Sequence, residues 1–233
     1  RISRKLDRLD TKVDQVLASD ECLEGNWVSQ VADQVGRSAE MAAWQRNKLR
    51  CDPLSGMSYM GLTQALVWDA RPEEALQAIA EAEALNLYVP FERDMRLVAL
   101  LAAGHYKEDA EAYMPAAHGS IYPFPDKLLL EARAGTPERV RQISDAYLSR
   151  PGVDDWSAMV AAAVVGNRDA ANAAAARIDS RPGGPFMLLI SSQMCFCGAP
   201  FDLDATPNFK TRLDESGFPW PPADPIGYPL KNW

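Results

Sequence analysis

Apolar residues recur along this chain at helical spacing. Tyr59, Leu62 and Leu66 fall on one helical face, and after a polar break at Asp69 to Arg71 the pattern resumes with Ala75, Ile79 and Ala82. Pro72 followed by Glu73 and Glu74 suits the first turn of a new helix, where proline's missing N–H costs nothing and acids complement the positive dipole end. Two helices joined by so short a turn lie antiparallel. Small side chains at Ala75 and Ala82 let the backbones approach, and Ile79 fills the gap between them.

The unit repeats. Met41 precedes Ala75 by 34 residues, with Gly36 at the turn and Pro53 closing the pair. Leu97, Leu101, Ala110, Met114 and Ala117 carry the pattern 35 residues after the Ala75 unit, with Gly104 near the turn. Looser pairs turn at Gly135-Thr136-Pro137-Glu138 and at Gly166-Asn167-Arg168-Asp169, where Val140 and Ala171 follow their predecessors by 30 and 31 residues. Five pairs cover residues 20 to 180, and regular superhelical geometry is expected to fail in the two shorter ones.

The expected fold is all-α, an α-α superhelix of antiparallel helix pairs. It divides into an N-terminal helix (1–19), helical repeats (20–185), capping helices (186–217) and an irregular Pro/aromatic-rich tail (218–233). Ile2, Leu6, Leu9, Val13 and Val16 alternate at spacings of four and three, which suits either packing on the first pair or a homodimer seam. An apolar helix, Phe186 to Cys197, ends at Gly198, and Thr206-Pro207 opens a short helix that Gly217 closes. Beyond it, five prolines between Pro219 and Pro229 forbid regular helix. A solenoid leaves its last apolar face open, so Phe218, Trp220 and Trp233 are expected to cover it. The other reading takes the prolines as a mobile ligand for an aromatic groove.

The Tyr59 to Ala82 unit resembles the tetratricopeptide repeat, in which an aromatic and a leucine on the first helix meet small residues on the second. Tyr59 and Leu62 match the former, Ala75 and Ala82 the latter; Thr63 stands for a small residue, Ala70 for the turn glycine and Leu87 for the closing proline. The stretch from Thr206 to Pro222 is similar to the ending of bacterial signalling proteins with degenerate arrays of this kind. That resemblance implies the sensor or scaffold half of a longer protein with an upstream output domain.

Charge and chemistry narrow the function. With 47% hydrophobic and 24% charged residues the chain has globular composition, and its net charge of −8 opposes binding to nucleic acid or anionic lipid. The longest strongly apolar stretch, Phe186 to Ile190, is far too short to cross a membrane. The four cysteines, Cys22, Cys51, Cys195 and Cys197, are unevenly spaced for a disulfide framework, so reduced thiols and a cytoplasmic location are expected. The chain opens on Arg1, which leaves room for an upstream segment and makes that location conditional.

Catalytic, metal and cofactor sites are not expected. Cys195 and Cys197 diverge on a helix, and His105 and His118 lie in no catalytic motif. Pro182-Gly-Gly-Pro185 lacks the strand and the Lys-Ser/Thr of a phosphate loop, and the pairs Glu73-Glu74 and Asp154-Asp155 suit helix starts. The expected function is a protein- or peptide-binding scaffold or regulatory module; the alternative is a thiol-redox enzyme using Cys195 and Cys197. In tetratricopeptide arrays the first helices line a concave groove, and that resemblance implies a binding surface of Asn26, Gln30, Gln34, Met60, Gln64, Trp68 and Met95. Amides offer donors and acceptors to a peptide backbone, and Met and Trp add apolar contact. The competing reading places Met60 and Trp68 in the core.

Overall fold

The computed structural model describes Gln15 and residues 37–90, 92–106, 126–194, 198–216 and 220–221. Among these, regular structure is helical with no strand. The helices are α1 (Ser38–Cys51), α2 (Gly56–Trp68), α3 (Pro72–Ala84), α4 (Glu92–Ala103), α5 (Asp126–Ala134), α6 (Pro137–Leu148), α7 (Asp155–Val164), α8 (Arg168–Asp179), α9 (Gly184–Met194) and α10 (Pro207–Ser216). The chain divides into two compact units, Arg1–Ala99 and Leu100–Trp233.

In the first unit α1 packs on α2, and α2 on α3. A helix covered on two sides needs apolar or small residues around most of its circumference. Accordingly Ser58, Tyr59, Gly61, Leu62, Thr63, Ala65, Leu66 and Val67 of α2 are all buried. The polar atoms among them are satisfied locally: Ser55 Oγ accepts the Ser58 N–H at 3.3 Å, and Thr63 Oγ1 donates to the Tyr59 carbonyl at 2.9 Å. Opposite, α3 buries Ala75, Ala78, Ile79 and Ala82, as the spacing predicts.

The turn between α2 and α3 repeats at the end of α4. Arg71 N–H donates to the Leu66 carbonyl (2.8 Å) and Ala70 N–H to the Val67 carbonyl (3.1 Å), with Ala70 at φ +55°. Thirty-four residues later His105 N–H reaches the Leu100 carbonyl (2.9 Å) and Gly104 N–H the Leu101 carbonyl (3.2 Å), with Gly104 at φ +85°. Glycine adopts this conformation freely, whereas alanine bears a Cβ penalty of about 1–2 kcal/mol. Arg71 braces the turn, binding both carboxylate oxygens of Glu74 at 2.7 Å and Asp69 at 3.2 Å, and Glu74 also accepts from Arg46 of α1 at 2.7 Å. The Arg71 guanidinium holds the Glu74 carboxyl below its ordinary range. Solvent screening leaves this network to fix geometry more than to add stability.

The second unit is centred on α7 and α8, which meet through Ala162 and Ala163 on one side and Ala171, Ala174 and Ala175 on the other. The end of the pair opposite its connecting turn is pinned. Asp154 caps α7, accepting the Ser157 N–H at 2.9 Å, while Asp155 pairs with Arg177 at 2.6 Å and with Arg181. Thus Asp154-Asp155 serves a helix start, as expected, and also clasps the end of α8. At α6, Thr136 caps the helix and Pro137 opens it. The Pro182–Pro185 linker supplies a packing glycine: a methyl group on Gly184 would lie 1.9 Å from the Ile178 carbonyl.

Asp179 holds the C-terminal segment. It is 2% exposed, and its carboxylate accepts the N–H groups of Asn208 (3.0 Å) and Phe209 (2.8 Å). One helix thereby caps the N-terminus of another. Trp220 packs on Phe201 and Phe209, with ring centroids 5.5 and 4.8 Å apart, so the expected covering contact of the tail is present at that residue. Phe218 and Trp233 lie outside the described residues, as do all of residues 1–19 except Gln15, including the homodimer-seam residues, and Gly36, Ala110, Met114, Ala117, His118, Cys22, Cys195 and Cys197.

One expectation needs correction. Cys51, at the end of α1, is disulfide-bonded, so the reading of all four cysteines as reduced thiols fails there. Uneven spacing in sequence says nothing about which cysteines the fold brings within bonding reach.

Two substitutions test this packing. Asp179→Ala leaves one buried and one part-buried N–H group without an acceptor and is expected to lower unfolding free energy by about 1–3 kcal/mol in urea titration. Ala70→Gly relieves the left-handed strain and is expected to raise it by about 1 kcal/mol. An unchanged midpoint in either would contradict the corresponding role.

Candidate functional site

Beyond its first residue, the positions of α2 that escape burial form a single line: Met57, Met60, Gln64 and Trp68, at spacings of three, four and four. At 1.5 Å per residue the line runs roughly 16 Å along the helix. Met57 is 43% exposed, and the other three are half-buried. At the N-terminal end the line meets exposed Leu54 and the strap after α3. There a methyl group on Gly56 would lie 2.0 Å from the Tyr88 carbonyl, and the Tyr88 side chain is 85% exposed.

Of the sequence-derived groove residues, Met60, Gln64 and Trp68 thus share one partly open line, so neither Met60 nor Trp68 is closed core. Met95 is buried within α4, with 6% exposure. Asn26, Gln30 and Gln34 lie outside the described residues. Met57 was not singled out from sequence, although it stands three residues before Met60 and its spacing marks it.

Gln45 of α1 also escapes sequence reasoning, because it occupies a core-facing position where an apolar residue is the norm. Its amide lies against α2: a methyl group on Gly61, next to Met60, would come within 2.5 Å of Gln45 Nε2. Gln45 Oε1 is buried and accepts no hydrogen bond, and the same holds for Asn47 Oδ1. Buried acceptors without donors are uncommon in folded proteins. The line itself carries adaptable thioethers, one amide and one indole, and no charge.

A second feature lies in the other unit. A cavity of about 300 Å³ is lined by Arg168, Ala199, Phe201, Asp202, Leu203, Asp204, Trp220 and Pro221. Asp202 Oδ2 accepts from Arg168 Nε at 2.7 Å and Asn172 Nδ2 at 2.8 Å, and the Asp202 N–H donates to Asn172 Oδ1 at 2.8 Å. Asp202 raises the affinity of the Arg168 guanidinium for its proton, and Lys210, 2.9 Å from Asp204, holds that carboxyl below its usual range.

Among the described residues no group of three or more His, Cys, Asp or Glu side chains is placed to hold a metal, and His105 is exposed in the turn after α4. No helix among them is long and apolar enough to cross a membrane. No family model, curated protein or solved structure matches the chain.

Proposed function

We propose that this chain is a tetratricopeptide-like helical scaffold that captures an extended protein or peptide segment along α2. The observation that carries the reading is the single uncharged line of Met57, Met60, Gln64 and Trp68 on a helix otherwise closed by its neighbours. Methionine adapts to varied apolar side chains, the glutamine amide pairs with a peptide backbone, and tryptophan anchors. The same helix-ending turn occurs at Ala70, Asn86, Gly104 and Gly166, so the repeat reading rests on the sequence spacing of the helix pairs. The disulfide at Cys51 favours an oxidising compartment over the cytoplasm. A net charge of −8 keeps nucleic acid and anionic membranes out of the partner class.

The test begins with a random-peptide display selection on the full chain, followed by affinity measurement of the strongest binder. The double variant Met60→Ser, Gln64→Ala is expected to bind that peptide about tenfold or more weakly, since each lost contact removes about 0.5–1.5 kcal/mol. Its melting temperature should stay close to wild type because both positions are partly exposed. Ala80→Ser, on the exposed face of α3, should leave affinity unchanged. Equal affinity of wild type and the double variant would exclude α2 as the binding surface.

A further inference from the structure

A second cavity, of about 240 Å³, opens where α5, α6 and α7 meet in the second unit. Its lining is apolar except at one residue, Arg141. Val140 and Val164, 7% and 6% exposed, lie deepest; Ala132 and Val165 are half-buried, and Pro137 and Arg141 are exposed, so the cavity is reached from solvent. The other arginines of α5 and α6 are engaged. Arg133 lies over the Tyr106 ring at 5.1 Å, and Arg139 donates to Gln142 at 2.7 Å and pairs with Glu131 at 3.5 Å. Among the described residues Arg141 forms neither a hydrogen bond nor an ion pair, although Glu138 and Asp145 stand three and four residues away on the same helix.

We infer that this cavity binds a small aliphatic carboxylate, with the acyl chain in the hollow and the head group on Arg141. A guanidinium is planar and presents parallel N–H groups that match the two oxygens of a carboxylate. At about 30 Å³ for each water-sized group the cavity has room for roughly eight heavy atoms, the size of hexanoate. One cation beside an otherwise uncharged wall suits a singly charged head and an apolar tail. Neutral ligands of the same shape forgo the ion pair, and an ammonium meets like charge. Each methylene placed against Val140, Val164 and Val165 adds to affinity, so binding strengthens with chain length until the hollow is full. The site lies wholly in the second unit and stands independently of the α2 reading.

The experiment is an NMR titration of the full chain at neutral pH and constant ionic strength, following the amides of Ala132, Val140, Arg141 and Val165. The probes are sodium hexanoate, sodium acetate and hexanamide. Hexanoate is expected to give saturable shifts at these signals, with acetate and hexanamide giving none. N-acetyl-L-leucine, in a fourth arm, separates the sources of such a group: tighter binding than hexanoate assigns the carboxylate to the end of a peptide chain, and weaker binding assigns it to a free acid. Arg141→Gln should weaken hexanoate at least about tenfold with the melting temperature close to wild type, because the side chain is exposed. Ala132→Leu keeps the charge and fills the hollow, and should weaken hexanoate as well; if it fails to fold, the probe series on the wild-type chain decides the matter. Absence of a saturable hexanoate response, an equal response to hexanamide or to acetate, or unchanged hexanoate affinity in Arg141→Gln would each overturn the assignment.

Discussion

Close approach of helix backbones through alanine is the constraint on which both units rest. Ala65, Ala75, Ala78 and Ala82 in the first unit, and Ala162, Ala163, Ala171, Ala174 and Ala175 in the second, are 0–4% exposed and sit at helix contacts. Helices of 9 to 14 residues are marginal alone, so each depends on a neighbour covering its apolar face. Small side chains bring the backbones close enough for that cover to be dry. Larger residues such as Ile79 and Met159 then fill the space between.

That constraint also explains why α2 can offer a surface. Neighbours on two sides cover the helix except along one line, and on the proposed reading that line carries residues that tolerate both water and a partner. Methionine, glutamine and tryptophan meet that requirement, whereas leucine or valine there would favour nonspecific association. Gln45 adds an unpaired amide oxygen beside the line. In the second unit the same economy of cover appears at Asp179 of α8, which accepts from the first turn of α10, and at Asp202, which accepts from Arg168 and Asn172 of α8.

Helix pairing was legible in the sequence where the signals are local. Pro72 with Glu73, the cap at Thr136, and the glycines at 104 and 166 mark helix boundaries through their own backbone and side-chain chemistry. Ala70 was legible only through the tetratricopeptide resemblance, where it stands for the turn glycine; alanine itself carries no preference for the left-handed region it adopts. The Asp179 cap was invisible for a different reason: its acceptor and donors are 29 and 30 residues apart and meet only once α8 and α10 have packed. Met95 illustrates the limit of transferring a groove from a resemblance. Its place on a first helix implied a concave surface, yet its own neighbours bury it.

The central claim is that a partner lies along α2, and site-specific photo-cross-linking maps it most directly. A benzophenone side chain placed singly at Met57, Met60, Gln64, Trp68, and at exposed Gln77 and Ala80 of α3, would be irradiated with a display-selected peptide and the adducts counted by mass spectrometry. Adducts from the four α2 positions and background yield from Gln77 and Ala80 are the expected result. Equal or greater yield from the α3 positions would contradict a docking line on α2.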